Sequence, residues 1–210
     1  MRGLGSRARV LGAVGTGALL LSKTPAVSAD AEMPAMPPLP WAYTPLDPEM
    51  VRKRAHHGYT KTHCCEGAFS AIVGELARVV GHPFDKIPLG MMGYGGSGVA
   101  GFGSLCGTLN GSGAAINLVC DKKMTEAVMT ELMSWYATAL LPTETSNRYA
   151  ATETYLEGDP YVVRIPLVQS VAGDNLCHLS VTHWCIAANK GSGSPERSER
   201  CARITGDVAA

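Results

Sequence analysis

Apolar residues recur at a helical spacing over much of the chain. Between Thr60 and Val80 most apolar positions lie three or four residues apart, at Cys65, Phe69, Ile72, Val73, Leu76 and Val80. A stripe with this spacing predicts an amphipathic helix. Gly81 predicts where that helix ends. Asp47 followed by Pro48 predicts an upstream helix start, because Asp caps a helix and Pro suits its first position.

The next segment is dominated by glycine. Residues 90–98 have the character of a loop, whereas residues 99–120 predict a buried helix in spite of their glycines. Gly103, Gly107 and Gly111 recur every four residues, so another helix or a flat cofactor can approach the backbone closely. We therefore expect a glycine-rich helix in the core.

The C-terminal half predicts further helices. An amphipathic segment, KKMTEAVMTELMSWYATALL, ends at Pro142, and a short helix follows around RYAATETYLE. The stretch YVVRIPLVQSVAG has extended character, but Pro166 limits it to an edge or an irregular segment. Two last helices flank the flexible NKGSGS, and Ser194 and Pro195 predict the start of the second. Its predicted i,i+4 ion pairs are Glu196 with Arg200 and Glu199 with Arg203.

These patterns predict a mainly α fold, a compact multi-helix domain with a glycine-rich buried helix and an extended proline-rich N-terminal arm. We divide the chain into an export signal peptide (residues 1–31), the proline-rich arm (residues 32–46) and a helical cysteine-rich redox domain (residues 47–210). The arm is expected to wrap a neighbouring subunit through Trp41 and Tyr43, and a plain flexible linker is the alternative.

Residues 1–31 have the features of an export signal. Arg2, Arg7 and Arg9 form a basic start, and VLGAVGTGALLL is a short apolar run. AVSADA then offers small residues for cleavage near Ala29 or Ala31. The apolar run is short and glycine-rich for a transmembrane helix, although an uncleaved membrane anchor is the alternative. We expect an exported, periplasmic protein.

The formal charge of the chain is balanced, with 18 Lys and Arg against 18 Asp and Glu. Nucleic-acid binding requires an excess of basic residues, so the composition argues against nucleic acid as a partner. The candidate chemistry therefore rests on the cysteines rather than on a strongly charged surface.

Seven cysteines follow the predicted signal, at positions Cys64, Cys65, Cys106, Cys120, Cys177, Cys185 and Cys201. Export favours disulfides, but an odd number leaves at least one thiol unpaired or able to act as a ligand. Cys177 and Cys185 would lie about 12 Å apart on one straight helix, which is too far for a disulfide. Cys106 and Cys120 would lie about 21 Å apart on one helix and cannot share a site.

The adjacent Cys64 and Cys65 are predicted to have different roles. Cys65 lies four residues before Phe69 on the apolar stripe, so we expect it to pack as a small hydrophobe. Cys64 is turned about 100° away and lies at a helix start, where the helix dipole, Lys61 and His63 are expected to lower its pKa. Cys64 is therefore the candidate redox-active thiol. The alternative is that both cysteines are buried and inert.

Several segments together resemble a known family. HCCEGAFSAIVGEL, GVAGFGSLCGTLNG, LCHLSVTHWC and ERSERCARITGDVA resemble the redox-active family named for its C–GCAxxG–C–C pattern, and within it the exported subgroup of split-Soret cytochromes c. The resemblance implies a helical, dimeric electron-transfer protein whose cysteines are redox-active or hold an iron–sulfur centre. Cys64 matches the first helix cysteine of the motif and Cys106 the cysteine of the glycine-rich segment. The C-terminal signature contains Cys177, Cys185 and Cys201.

The chain departs from that subgroup in its haem motif. No C-x-x-C-H occurs, so the covalent c-type haem that the resemblance implies is not expected here. Non-covalent haem bound by His57 or His63 at a dimer interface is not expected either. The chain also lacks C-x-x-C, P-loop, G-x-S-x-G and dinucleotide-binding fingerprints.

The leading hypothesis is an exported electron-transfer protein that holds an iron–sulfur cluster. Its metal ligands are predicted among Cys106, Cys177, Cys185 and Cys201, with Cys64 as the redox-active thiol or a further ligand. We expect an electron carrier or redox subunit rather than a stand-alone enzyme. It is expected to form a homodimer and to exchange electrons with a partner protein such as a cytochrome or a membrane oxidoreductase.

Two other functions fit the same residues. The first is a cofactor-free thiol–disulfide redox protein, in which Cys64 attacks and Cys106 resolves the mixed disulfide. The second is a non-enzymatic accessory subunit, which is held by ordinary disulfides and docks onto a redox complex through its proline-rich arm. The iron and sulfide content of the protein distinguishes the iron–sulfur hypothesis from both of these alternatives.

Overall fold

The computed structural model describes residues 35–156, 158 and 163–210. The predicted export signal, residues 1–31, lies outside the described residues, as do positions 32–34 of the arm. Residues 36–210 pack together as one unit. This part of the chain is mainly helical, which confirms the predicted fold class.

The described residues form six α-helices, two short 3-10 helices and two short strands. The α-helices are α1 (Pro48–Val80), α2 (Gly107–Val119), α3 (Lys122–Thr138), α4 (Glu144–Ala151), α5 (Cys177–Ala188) and α6 (Pro195–Ala209). The 3-10 helices are Phe84–Lys86 and Leu89–Gly95. Strand β1 (Leu140–Leu141) pairs antiparallel with β2 (Ser170–Val171), with Leu140 opposite Val171.

Helix α1 is longer than its apolar stripe predicts and contains one kink. It begins where Asp47 predicts, and the Asp47 carboxylate accepts a hydrogen bond of 2.9 Å from the Glu49 amide. It ends at Gly81, whose φ of 81° is a conformation that favours glycine. At His63 the backbone leaves the helical region, with φ 66° and ψ −175°. Two helical segments therefore meet at His63, and Cys64 begins the second.

The apolar stripe of α1 lies in the core. Cys65, Phe69, Val73 and Leu76 are buried together, as their spacing predicts, whereas Val80 at the helix end is exposed. Trp41 from the arm joins the same cluster. Its ring packs edge-on against Phe84 at 5.1 Å, and its backbone amide donates a 2.7 Å hydrogen bond to the Leu118 carbonyl. The described part of the arm therefore packs on its own chain at Trp41.

The glycine-rich segment is only partly helical. Helix α2 begins at Gly107, so the predicted start at Val99 is wrong. Most residues between positions 97 and 103 have positive φ, which an α-helix does not allow: Ser97, Gly98, Val99, Ala100, Gly101 and Gly103. The predicted close approach does occur within α2, because a Cβ at Gly111 would overlap the Cys65 carbonyl oxygen of α1.

The last helix carries a buried set of charges. The predicted pair of Glu199 and Arg203 forms at 2.8 Å, with both side chains almost fully buried. The predicted pair of Glu196 and Arg200 does not form. Glu196 instead lies 2.6 Å from Lys190, because the Arg200 side chain is directed into the core.

Three boundaries in the C-terminal half differ from the predicted ones. Helix α3 ends at Thr138, and Leu140–Leu141, which the predicted helix included, form β1. The short helix α4 begins at Glu144, ahead of the predicted segment, because the Thr143 hydroxyl accepts a hydrogen bond from the Ser146 amide and caps it. The described residues of the stretch predicted as extended, 163–173, contribute a strand only at Ser170–Val171. Among the described residues, no helix has the length and apolar character needed to cross a membrane.

Candidate functional site

Four cysteines from distant parts of the chain line one cavity of about 180 Å³. They are Cys64, Cys106, Cys177 and Cys201. We call this space the cysteine cavity. All seven cysteines lie in the described part of the chain, and all seven are free thiols. Three of the four predicted ligand cysteines thus lie at one cavity together with Cys64, the candidate redox-active thiol.

Three of these cysteines lie at helix N-termini. Cys64 follows the kink at His63 and begins the second segment of α1. Cys106 is the N-cap residue of α2, and Cys177 is the first residue of α5. The positive ends of three helix dipoles therefore meet at the cysteine cavity, where they favour negative charge. The fourth cysteine, Cys201, lies within α6.

A short backbone pairing holds Cys106 beside Cys177. Leu105 and Leu176 form an isolated antiparallel bridge. On its two sides the Cys106 amide donates a 2.9 Å hydrogen bond to the Asn175 carbonyl, and the Cys177 amide donates one of 2.7 Å to the Ser104 carbonyl. This pairing fixes the starts of α2 and α5 side by side.

Cys106 is the thiol that ionises most readily in this set. Its pKa is lowered to about 6, chiefly because the Cys177 thiol donates a hydrogen bond to it. The Tyr136 hydroxyl, the Thr108 amide and the charge of Arg200 act in the same direction. The pKa of Cys177 is raised, since its proton is held on the hydrogen bond to Cys106. The pair therefore shares one proton and carries one negative charge near neutral pH.

Cys64 does not have the lowered pKa that its helix position predicts. Burial, together with the negative charge of Cys106, raises the pKa of Cys64 to about 12. A hydrogen bond from the Ser97 amide acts against this shift but does not cancel it. The expected lowering by Lys61 and His63 is therefore wrong. The role of Cys64 as a redox-active thiol stays a prediction.

Cys65 packs as the apolar stripe predicts. It is fully buried, and a Cβ at Gly95 would overlap its sulfur atom. Burial also raises the pKa of Cys65 to about 11. The two adjacent cysteines therefore face different surroundings, Cys65 in the apolar core and Cys64 at the cysteine cavity.

The structure does not bring Cys185 into the cysteine cavity. It lies on α5 eight residues after Cys177, which corresponds to about 12 Å along a helix. Cys120 follows the end of α2 and borders a second, mainly apolar cavity of about 410 Å³. His63 and His178 lie at the exposed rim of the cysteine cavity, together with Ser97 and Ser192.

Several residues at the cavity were not predicted from the sequence. The Arg200 side chain is buried, and it donates hydrogen bonds to the Ser180 hydroxyl at 2.7 Å and to the Ser180 carbonyl at 3.3 Å. The hydroxyl of Tyr136, which is also buried, lies 3.0 Å from the Ser180 hydroxyl. The helical position of Arg200 favours a partner on its own helix, so its contact with α5 had no signal in the sequence.

The four cysteines are too widely spread to act together as ligands of a single metal ion. Among residues 35–156, 158 and 163–210, no three His, Cys, Asp or Glu side chains converge closely enough to hold one metal ion. The four cysteines are instead spread around a cavity. Fold and site together define a helical protein with a cysteine-lined cavity.

The comparison with family models assigns the chain to a family. Residues 62–210 match the family described as "Putative redox-active protein (C_GCAxxG_C_C)". The chain belongs to this family. The match covers the kink of α1 and all four cysteines of the cavity, and it confirms the resemblance seen in the sequence.

The chain is also similar to split-Soret cytochrome c from Desulfovibrio desulfuricans (strain ATCC 27774 / DSM 6949 / MB). The two are 32% identical over 171 residues, which is 80% of this chain and 58% of that protein. The chain thus spans less than two thirds of the length of this relative. A solved structure of that cytochrome, which has a novel iron centre, is similar with a TM-score of 0.71 over 80% of this chain and 67% of that one. The family match supports a redox role for this chain.

Proposed function

We propose that this chain is an electron-transfer protein that holds an iron–sulfur cluster on Cys64, Cys106, Cys177 and Cys201. The observation that carries the proposal is the convergence of these four cysteines on one cavity. Four thiolates are the usual ligand set of an iron–sulfur cluster. When bound, such a cluster takes up and releases one electron at a time.

The spread of the four cysteines favours a cluster over a single ion. A cluster distributes its ligands over two or more irons, so its cysteines do not have to converge on one point. The described residues contain no compact group of three ligands for one ion, yet four thiols line one cavity. Cys185 is left out of the proposed ligand set because it does not line that cavity.

The charges of the cavity suit an anionic group. The three helix N-termini that carry Cys64, Cys106 and Cys177 favour thiolates over thiols. The buried guanidinium of Arg200 lies beside this set and supports the ionisation of Cys106. These features lower the cost of the deprotonation that thiolate ligation requires.

The cavity is close enough to the surface for exchange with a partner. His63, Ser97, His178 and Ser192 are exposed at its rim. We propose that a redox partner protein, such as a cytochrome or a membrane oxidoreductase, docks on this side. The rim of this cavity rather than the proline-rich arm then determines which partner docks.

The proposed homodimer would use apolar surface near the same loop. Phe102 is 87% exposed, and Met91 and Tyr94 are exposed as well. Light scattering of the purified protein tests the dimer. A monomer at micromolar concentration would contradict the proposed dimer.

Export, predicted from residues 1–31, is tested by the N-terminal mass of protein recovered from the periplasm. Cleavage near Ala29 is expected.

The cluster is tested by replacing each cysteine in turn with serine under anaerobic conditions. Iron and acid-labile sulfide are then measured per chain. We expect the replacement of Cys64, Cys106, Cys177 or Cys201 to reduce both, since each removes a thiolate ligand. Cys185→Ser and Cys120→Ser are the matched controls and should leave both unchanged. Full iron and sulfide in all four cavity variants would contradict the proposed ligands.

A second function is favoured by the contact between Cys106 and Cys177. A thiolate next to a protonated thiol is a suitable arrangement for thiol–disulfide exchange. This version of the cofactor-free alternative uses Cys177 as the resolving thiol. It predicts protein without iron that loses two titratable thiols on mild oxidation, and a disulfide between these two residues by peptide mapping.

A further inference from the structure

The cysteine cavity contains a buried cation that has no carboxylate partner in the described part of the chain. Arg200 is only 2% exposed, and no Asp or Glu of the described residues forms an ion pair with it. Its partners are the carbonyl and hydroxyl of Ser180 and, at 3.9 Å, the sulfur of Cys201. Its Nε has no hydrogen-bond partner among the described residues. A buried charge is normally paired, so this guanidinium favours anionic sulfur beside it.

A second buried donor lines the same cavity. The Thr108 side chain is 1% exposed, and its hydroxyl has no hydrogen-bond partner in the described part of the chain. Thr108 lies in the first turn of α2, two residues after Cys106, where the helix dipole also favours negative charge. Two buried, unpartnered polar groups thus border one cysteine-lined space, and both are able to donate a hydrogen bond to an anion.

We propose that Arg200 and Thr108 form an anion-binding wall that stabilises anionic sulfur in the cysteine cavity and thereby raises the reduction potential of the group held there. The second part of this inference rests on the proposed iron–sulfur function. On reduction the group gains one electron from the redox partner, and its charge becomes more negative by one. A fixed cation and a hydrogen-bond donor stabilise the reduced form more than the oxidised form. Arg200 and Thr108 are positioning residues and not ligands.

The potential is measured by anaerobic redox titration of the loaded protein and its variants. Arg200→Met should shift the reduced-to-oxidised ratio at a fixed potential at least tenfold toward the oxidised form, about 59 mV for one electron. Arg200→Lys should recover part of this shift, because it restores the charge but not the planar donor. Thr108→Val should shift the ratio in the same direction by less.

Arg78→Met is the matched control for the loss of one positive charge. Arg78 lies 14 residues after Cys64 on α1, about 21 Å along the helix, and its side chain is exposed. We expect the potential of this variant to equal that of the unchanged protein. An equal potential in the Arg78→Met and Arg200→Met variants would overturn the proposed effect on the potential.

A separate measurement on the metal-free protein uses sodium hydrosulfide as the anionic sulfur probe. Hydrosulfide should raise the Tm of the unchanged protein and of the Arg78→Met variant, but not of the Arg200→Met or Thr108→Val variants. No rise in the unchanged protein would overturn the anion-binding wall. Protein that lacks iron and sulfide when purified, but still shows this rise, would overturn the proposed function and leave the wall in place.

Discussion

At the scale of single residues, burial and hydrogen bonding decide which thiol is ionised. Cys64 has the favourable helix position, yet burial raises its pKa. Cys106 is equally buried, but it accepts hydrogen bonds from the Cys177 thiol, the Tyr136 hydroxyl and the Thr108 amide. Hydrogen bonds to the charged form lower a pKa, whereas burial raises it. At Cys106 the hydrogen bonds outweigh burial, because three donors converge on one sulfur atom.

This difference predicts one thiolate in the metal-free protein near neutral pH. Since the pKa of Cys106 is lowered to about 6, its thiolate should be present above that pH and disappear as the pH falls through it. The measurement is the ultraviolet absorbance of the thiolate over a pH titration. Cys106→Ser should abolish the step and Cys64→Ser should preserve it. An unchanged step in the Cys106→Ser variant would assign the charge to another thiol.

The close packing around Gly107 predicts a second effect of a single residue, on the stability of the fold. A Cβ at this position would overlap the Cys64 sulfur and lie 2.7 Å from the Gly95 carbonyl oxygen. Gly107→Ala is therefore expected to lower the free energy of unfolding by about 1–3 kcal/mol, as overpacking does. Gly74→Ala on α1 is the control, since nothing lies within 4 Å of its Cβ, and it should be stabilising by roughly 0.5–1 kcal/mol. Urea unfolding measures both, and equal effects would contradict the close packing.

At the scale of elements, helix α6 joins the cavity to the buried charges of the core. Arg200 and Cys201 face the cysteine cavity, and Arg203 one turn further lies in the interior. The Arg203 guanidinium donates to the Glu199 carboxylate at 2.8 Å and to the Asn147 side-chain oxygen at 2.7 Å. It also donates to two backbone carbonyls, those of residues 163 and 165. All three guanidinium nitrogens of Arg203 are thus engaged, whereas the Arg200 Nε has no hydrogen-bond partner among the described residues.

The full set of partners makes Arg203 a structural residue. Arg203→Met should lower the free energy of unfolding by about 3–5 kcal/mol, because it leaves the buried Glu199 carboxylate without its guanidinium. Lys122→Met, which removes a 90% exposed cation from its ion pair with the exposed Glu126, should stay within about 0.5 kcal/mol of the unchanged protein. Urea unfolding followed by circular dichroism compares the two, and similar midpoints would contradict this account.

Helix ends were predictable from the sequence, whereas the cavity was only partly so. Asp47, Gly81 and Ser194 act through neighbouring backbone, so their signals are local. The starts of α2 and α4 were predicted wrongly because glycine and threonine also suit turns and caps. The family resemblance named the right type of chemistry. Cys185 was grouped with the others because sequence spacing does not show which face of α5 reaches the cavity.

At the scale of the whole molecule, the cysteine cavity is a meeting point of α1, α2, α5 and α6. Each helix brings one cysteine from a distant part of the chain, so the site exists only once these helices have packed. The neutral net charge of the chain contrasts with the cationic character of this one region, where three helix N-termini and Arg200 lie together. We infer that folding concentrates positive potential where thiolates are needed.

The central claim is that this cavity holds a redox-active iron–sulfur cluster, and the visible spectrum of anaerobically purified protein tests it most directly. The account predicts coloured protein with iron and acid-labile sulfide in equal amounts. Its absorption should bleach when a one-electron reductant is added and return on reoxidation. Colourless protein, or iron without sulfide and without reversible bleaching, would contradict it.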